Sequence, residues 1–176
     1  MTRWACRVGD VFRLDDVPQA LVVPTPAGEP SPLRHSLLSD LAAACGVAGR
    51  LVARADGVRM LGGTGLFASV AHRPGWAAAV LARVAVGIDL ETAAEAASAE
   101  AVILAGVEVD DLAAWHGLAG IWAAREAVLK AQGRDLTRDH RCWRFGHGSV
   151  TADGRTFTVE VKPLAGAVAA VAYAGS

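Results

Sequence analysis

The sequence predicts an α+β fold made of two halves, 1–83 and 84–176, each a helix packed on a small, mainly antiparallel sheet. Three observations carry this. Ser31-Pro32 followed by Leu33, Leu37, Leu38, Leu41 and Cys45 is a capped amphipathic helix that Gly46 ends. Leu112, Trp115, Leu118, Trp122 and Leu129 recur at helical spacing over 109–132 and stop at Gly133, which gives a second helix. Around both lie short apolar runs separated by turn formers, Gly62-Gly63-Thr64-Gly65 and the hairpin signal Asp153-Gly154 among them.

In chain order, a strand over residues 20–23 runs into the Pro/Gly loop Pro24-Thr25-Pro26-Ala27-Gly28-Glu29-Pro30 and then into the first helix. Strands are expected over 51–58 and 66–71, and again over 77–82 and 84–90, the last two apolar enough to be central. Residues 92–105 are alanine-rich, part helix and part loop. After the second helix and a polar connection, 142–145, 156–161 and 167–173 read as three short strands.

Composition excludes several classes of function. With 53% hydrophobic and 20% charged residues in 176, the chain can bury a real core. A net charge of -1, with basic residues scattered among acidic ones, gives no electrostatic reason to bind nucleic acid. Cys6, Cys45 and Cys142 lie far apart with no Cys-x-x-Cys pair, which argues for reduced thiols rather than a disulfide framework or a zinc site. The charged N-terminal residues lack the apolar core of a signal peptide, and Arg83 interrupts the longest apolar stretch. A cytoplasmic protein without a membrane segment is expected.

Two stretches carry the chemistry. In Val86-Gly87-Ile88-Asp89-Leu90-Glu91, alternation on a strand puts Asp89 and Glu91 on one face and sends Ile88 and Leu90 into the core. The acids are expected to face solvent and to suit a hard cation. In Trp122-Ala123-Ala124-Arg125-Glu126-Ala127-Val128-Leu129-Lys130, Glu126 and Lys130 are four apart and so share a helix face. Of 17 basic residues only Lys130 and Lys162 are lysines, so a lysine at position 130 stands out against the chain's preference for arginine. Three acids and a lysine suggest Mg²⁺ holding a phosphate.

Gly-Ile-Asp-Leu-Glu followed by Trp-x-x-Arg-Glu-Ala-x-x-Lys resembles the paired signature of the 4'-phosphopantetheinyl transferases, over about half of the chain. The resemblance implies the pseudo-symmetric architecture of the longer, two-half members, of which this chain would be a short one. It also implies an activity: Mg²⁺-dependent transfer of the phosphopantetheine arm of coenzyme A to a serine of an apo acyl or peptidyl carrier protein, with release of 3',5'-ADP. On that reading Asp89, Glu126 and Glu91 are metal ligands, and Lys130 stabilises the phosphate oxygens. Glu126, or a metal-bound water beside it, is the base.

Ser69-Val70-Ala71-His72 resembles the family's Ser-x-Ser-His element, whose histidine contacts coenzyme A phosphates, with alanine before the histidine. Gly57-Val58-Arg59 resembles its Gly-Lys/Arg-Pro element without the proline. His72, Ser69 and Arg59 are therefore candidate coenzyme contacts, with Arg54 and Arg34 as competitors for the 3'-phosphate. Arg125 stands where the family most often has lysine; it is a candidate cofactor contact or an exposed helix cation partnered only by Glu126 or Glu95. Trp122 and Leu129 read as core residues. Arg134, Arg138, His140, Arg141 and Arg144 form a basic cluster suited to an acidic carrier. A single chain supplies both halves of such a site, so a monomer is expected. The alternative function is a non-catalytic coenzyme A- or carrier-binding module of the same fold.

Overall fold

The computed structural model describes residues 18–25, 32–104, 106–134 and 143–174, with the backbone alone at 32–35 and 102. The first half runs β1 (Gln19–Pro24), α1 (Pro32–Ala44), β2 (Leu51–Ala53), β3 (Arg59–Leu61), β4 (Leu66–Arg73) and β5 (Trp76–Ala82). Its five strands form a wholly antiparallel sheet in the order β1-β5-β4-β3-β2. The second half runs β6 (Val86–Thr92), α2 (Ala93–Ser98), α3 (Glu100–Leu104), β7 (Val107–Val109), α4 (Leu118–Ala131), β8 (Trp143–Gly146), β9 (Ser149–Ala152), β10 (Arg155–Leu164) and β11 (Ala167–Ala174). Its sheet has the order β6-β11-β10-β9-β8-β7, antiparallel except where β7 meets β8.

With α2, α3 and β7 set aside, each half is one strand, one long helix and four strands, and each sheet places its first strand beside its last. The fold is therefore α+β with two pseudo-symmetric halves, although the two sequences share no visible repeat. The layers are helix, sheet, sheet, helix. Leu37, Leu38 and Leu41 of α1 pack on Leu61, Leu66, Val70 and Leu81 of the first sheet. Val22, Ala78 and Val80 meet Ile88, Leu90 and Val171 between the sheets. Ile121, Ala124 and Val128 of α4 close the far side against Phe145, Val150 and Ala170.

Three expected elements differ. The strand expected over 51–58 breaks after Ala53, because Gly57 takes φ +84° and the Asp56 carboxylate accepts the Val58 N–H at 3.1 Å, folding the segment into the β2–β3 hairpin. The helix expected from residue 109 starts at Leu118. His116 and Gly117 both have left-handed φ, 57° and 77°, which no helix can pass through, and Leu112 is exposed while Trp115 is buried in the turn before them. The last sheet has β7 and β9 in addition to the strands expected, and Asp153-Gly154 joins β9 to β10 with φ of 50° and 73°, as a primed hairpin turn requires. The Ser31 cap, the loop after Thr25, Cys6, Cys142, Arg138, His140, Arg141 and the Arg34 side chain lie outside the described residues. Among the described residues no helix is long and apolar enough to cross a membrane.

Candidate functional site

Alternation along β6 turns Gly87, Asp89 and Glu91 to α4, while Ile88 and Leu90 fill the core between the sheets. Gly87 sets the approach of the helix. A Cβ there would lie 1.9 Å from the Ala127 carbonyl oxygen, so only glycine lets the α4 backbone lie directly on the strand. That contact brings Glu126 and Lys130, one turn apart, alongside Asp89. Oxygens of Asp89, Glu91 and Glu126 come within 4.8 Å of one another. The acids do not face solvent as expected: Asp89 is 4% and Glu91 0% exposed, because α4 covers the face that alternation gave them.

Each acid has a distinct partner. Lys130 donates from Nζ to Asp89 Oδ1 at 2.5 Å and to the Ile88 carbonyl at 3.1 Å. The second oxygen, Asp89 Oδ2, is buried with no hydrogen-bond partner among the described residues. Trp122 donates its indole N–H to Glu126 Oε1 at 2.7 Å, so Trp122 helps position the acid as well as packing against the core. Arg73 of β4 holds both oxygens of Glu91, from Nε to Oε2 at 3.2 Å and from Nη2 to Oε1, and its Nε lies 3.5 Å from Glu95 Oε2.

Burial pushes the Glu126 carboxyl above the usual range, and the Asp89 charge adds to the shift against the Trp122 and Lys130 contacts. Burial likewise carries Glu91 up to about 7, with Asp89 adding to the effect and Arg73 opposing it. Three clustered carboxylates with an unsatisfied buried oxygen form a hard-oxygen donor set, which fits Mg²⁺ or a similar divalent cation.

Beside Lys130 opens a cleft of about 210 Å³, lined by Gly57, Arg59, Ala68, Ser69, Gly133 and Arg134 as well as the lysine. The β2–β3 turn and the end of α4 close one side of it by backbone contact alone. A Cβ on Gly57 would sit 2.2 Å from the Gly133 carbonyl oxygen, and one on Gly133 2.3 Å from that of Asp56. This contact between the halves sets Arg59 and Arg134 into one cationic wall.

The other candidates separate. Ser69 lines the cleft, and its hydroxyl accepts the Ile88 N–H at 3.2 Å, tying β4 to β6. His72 is exposed and, by alternation from Ser69 and Arg73, lies on the opposite face of β4 from the acids. Arg54 pairs with Asp56 at 3.1 Å and stacks 5.9 Å above the Phe67 ring, outside the cleft lining. Arg125 is neither an exposed cation nor a cleft residue. At 7% exposure it donates to the Ile103 carbonyl at 2.7 Å and lies over the Trp143 ring, because its α4 position turns toward α3 and β8. Arg144 pairs with Glu108, and Arg134 turns from the expected basic cluster to Asp153 and the cleft.

Of the cleft and acid-site residues, the sequence reading misses Arg73 and assigns Arg134 to carrier docking instead. Arg73 is two positions past Ala71 on the Ser69 face of the strand, a placement that period two already gives. Arg134 is four residues after Lys130, continuing the Glu126–Lys130 row past the helix end.

Residues 85–169, just under half of the chain, match the family model of the 4'-phosphopantetheinyl transferase superfamily. The match spans β6 with Asp89 and Glu91, α4 with Glu126 and Lys130, and the strands that follow to the start of β11. No curated protein matches the chain.

Proposed function

We propose, from the match of residues 85–169 to the 4'-phosphopantetheinyl transferase superfamily model, that this chain transfers the 4'-phosphopantetheine arm of coenzyme A to a serine of an apo acyl or peptidyl carrier protein. The reaction depends on Mg²⁺ and releases 3',5'-ADP. The observation that carries the reading is the convergence of Asp89, Glu91, Glu126 and Lys130 beside a cleft walled by Arg59 and Arg134. In this reading the first half, 1–83, supplies nucleotide contacts and the second, 84–176, the acids.

The acid group would hold Mg²⁺, and the bound cation neutralises charge that builds on the pyrophosphate as 3',5'-ADP leaves. Lys130, next to that group and to the cleft, donates to the phosphate oxygens. Arg59 and Arg134 anchor the nucleotide end through charge-assisted hydrogen bonds, with Ser69 in the same cleft lining. The carrier serine oxygen forms the new bond to phosphorus while the bond to the 3',5'-ADP oxygen breaks. Glu126, whose affinity for protons burial has raised, or a water held beside it, takes the serine proton. The cleft and the acids draw on both halves of one chain, so the working unit is a monomer. Light scattering checks this, and an obligate trimer that loses activity on dilution would overturn it.

One observation favours a non-catalytic coenzyme A- or carrier-binding module: Lys130 and Arg73 already neutralise Asp89 and Glu91 within the chain. One experiment separates the readings. The protein is incubated with coenzyme A, Mg²⁺ and a panel of apo-carriers, and the carriers are weighed. A gain of one phosphopantetheine arm that EDTA abolishes is the expected result. Firm coenzyme A binding with no gain on any carrier leaves the module.

A further inference from the structure

The three acids are not equivalent. Glu91 is fully buried with both oxygens taken by the Arg73 guanidinium, whereas Asp89 keeps a buried oxygen with no partner and Glu126 is contacted by a neutral indole N–H. We propose that Glu91 is the anchor of Arg73 and not a ligand of the cation, so that this chain holds its divalent ion with two carboxylates, Asp89 and Glu126. The proposal rests on the divalent-cation reading of the site.

The fork of a guanidinium on a carboxylate is among the strong charge-assisted contacts, and here one partner is wholly removed from water. Turning Glu91 to a cation would break both of its bonds and leave Arg73 with only Glu95, 3.5 Å away and on the surface. Opening this pair gives up two charge-assisted bonds to a carboxylate that is fully buried, which is unfavourable. Asp89 Oδ2 asks for no such rearrangement. It lacks a partner, and a cation would supply one. Two carboxylates are also enough, since Mg²⁺ keeps several waters and completes its shell with substrate phosphates. Arg73 then stays at the site as a fixed positive charge, held on β4 of the first half against β6 of the second.

The test is Mn²⁺ binding to the full chain, read from the loss of the free-ion electron paramagnetic resonance signal, with melting in EDTA to confirm that each variant folds. Asp89→Asn and Glu126→Gln should weaken Mn²⁺ tenfold or more, and Glu91→Gln less than threefold. Arg73→Lys keeps the charge but cannot engage both oxygens of Glu91. It frees one for the cation and should tighten Mn²⁺ severalfold. If Glu91→Gln does not fold, Arg73→Lys decides alone. Loss in Glu91→Gln equal to that in Asp89→Asn, or unchanged or weaker binding in Arg73→Lys, would overturn this assignment and leave the three-acid cation site standing. No binding of millimolar Mn²⁺ by the unmodified chain would overturn both.

Discussion

Glu126→Gln tests whether the acid cluster is held together for a cation. At pH 8 the substitution removes one of three negative charges whose oxygens come within 4.8 Å of each other, while glutamine keeps an oxygen for the Trp122 N–H. At an effective dielectric constant of about 20, each like-charge contact at that separation repels by roughly 3.5 kcal/mol. Attraction to Lys130 and Arg73 offsets much of this. In EDTA the variant is therefore expected to melt level with the unmodified protein, or higher by about 2–4 °C for each kcal/mol relieved. Mg²⁺ at tenfold its dissociation constant should stabilise the unmodified protein by about 1.4 kcal/mol, or roughly 3–6 °C; a tenfold weaker site gains only about 0.4 kcal/mol. Scanning calorimetry in EDTA and in Mg²⁺ reads both effects. Transfer should fall on the order of 10²-fold, with coenzyme A binding weakened only modestly. A variant that melts well below the unmodified protein in EDTA, or that gains as much from Mg²⁺, would refute the reasoning.

Gly87→Ala drives a methyl into the Ala127 carbonyl and must lift α4 off β6, so it should cost about 2–4 kcal/mol in chemical denaturation and separate Glu126 from Asp89; an unchanged midpoint and normal Mn²⁺ binding would show that the helix is free to shift. Arg59→Ala should raise the coenzyme A KM more than the carrier KM, while His72→Ala, on the other face of β4, should change the coenzyme A term less; a larger His72 effect would place the nucleotide on the α1 side. Glu91 binds its proton more tightly folded than unfolded, so the metal-free protein is stabilised below about pH 4.3 and loses that contribution as pH rises to about 7. Melting temperatures in EDTA should fall across that window, and a rise would contradict the burial of Glu91.

Much of this was legible because the signals are local. Period two placed Asp89 and Glu91 together on β6, and a four-residue step placed Glu126 with Lys130, whatever the rest of the chain does. What the sequence left hidden depends on partners far along the chain. The burial of Asp89 follows from α4 lying on Gly87, some forty positions earlier. Arg125 reads as a surface cation until Trp143 and the Ile103 carbonyl are brought to it. The hairpin in 51–61 and the late start of α4 turn on left-handed backbone at Gly57, His116 and Gly117, and only the glycines announce that possibility.

The repeated order of the two halves has a consequence for stoichiometry. β1 stands to α1 as β6 stands to α4, yet where β6 turns Asp89 and Glu91 to its helix, β1 turns Leu21 and Val23 to the core beneath α1. One junction is greased and the other charged. In the proposed reading the doubled scaffold carries one cation position among the described residues, and titration with Mn²⁺ should saturate at one equivalent. The carboxylates of that position all come from one half, with Arg73 the charge the other half sends to them, while the counterpart junction serves as ordinary hydrocarbon ballast for the whole molecule.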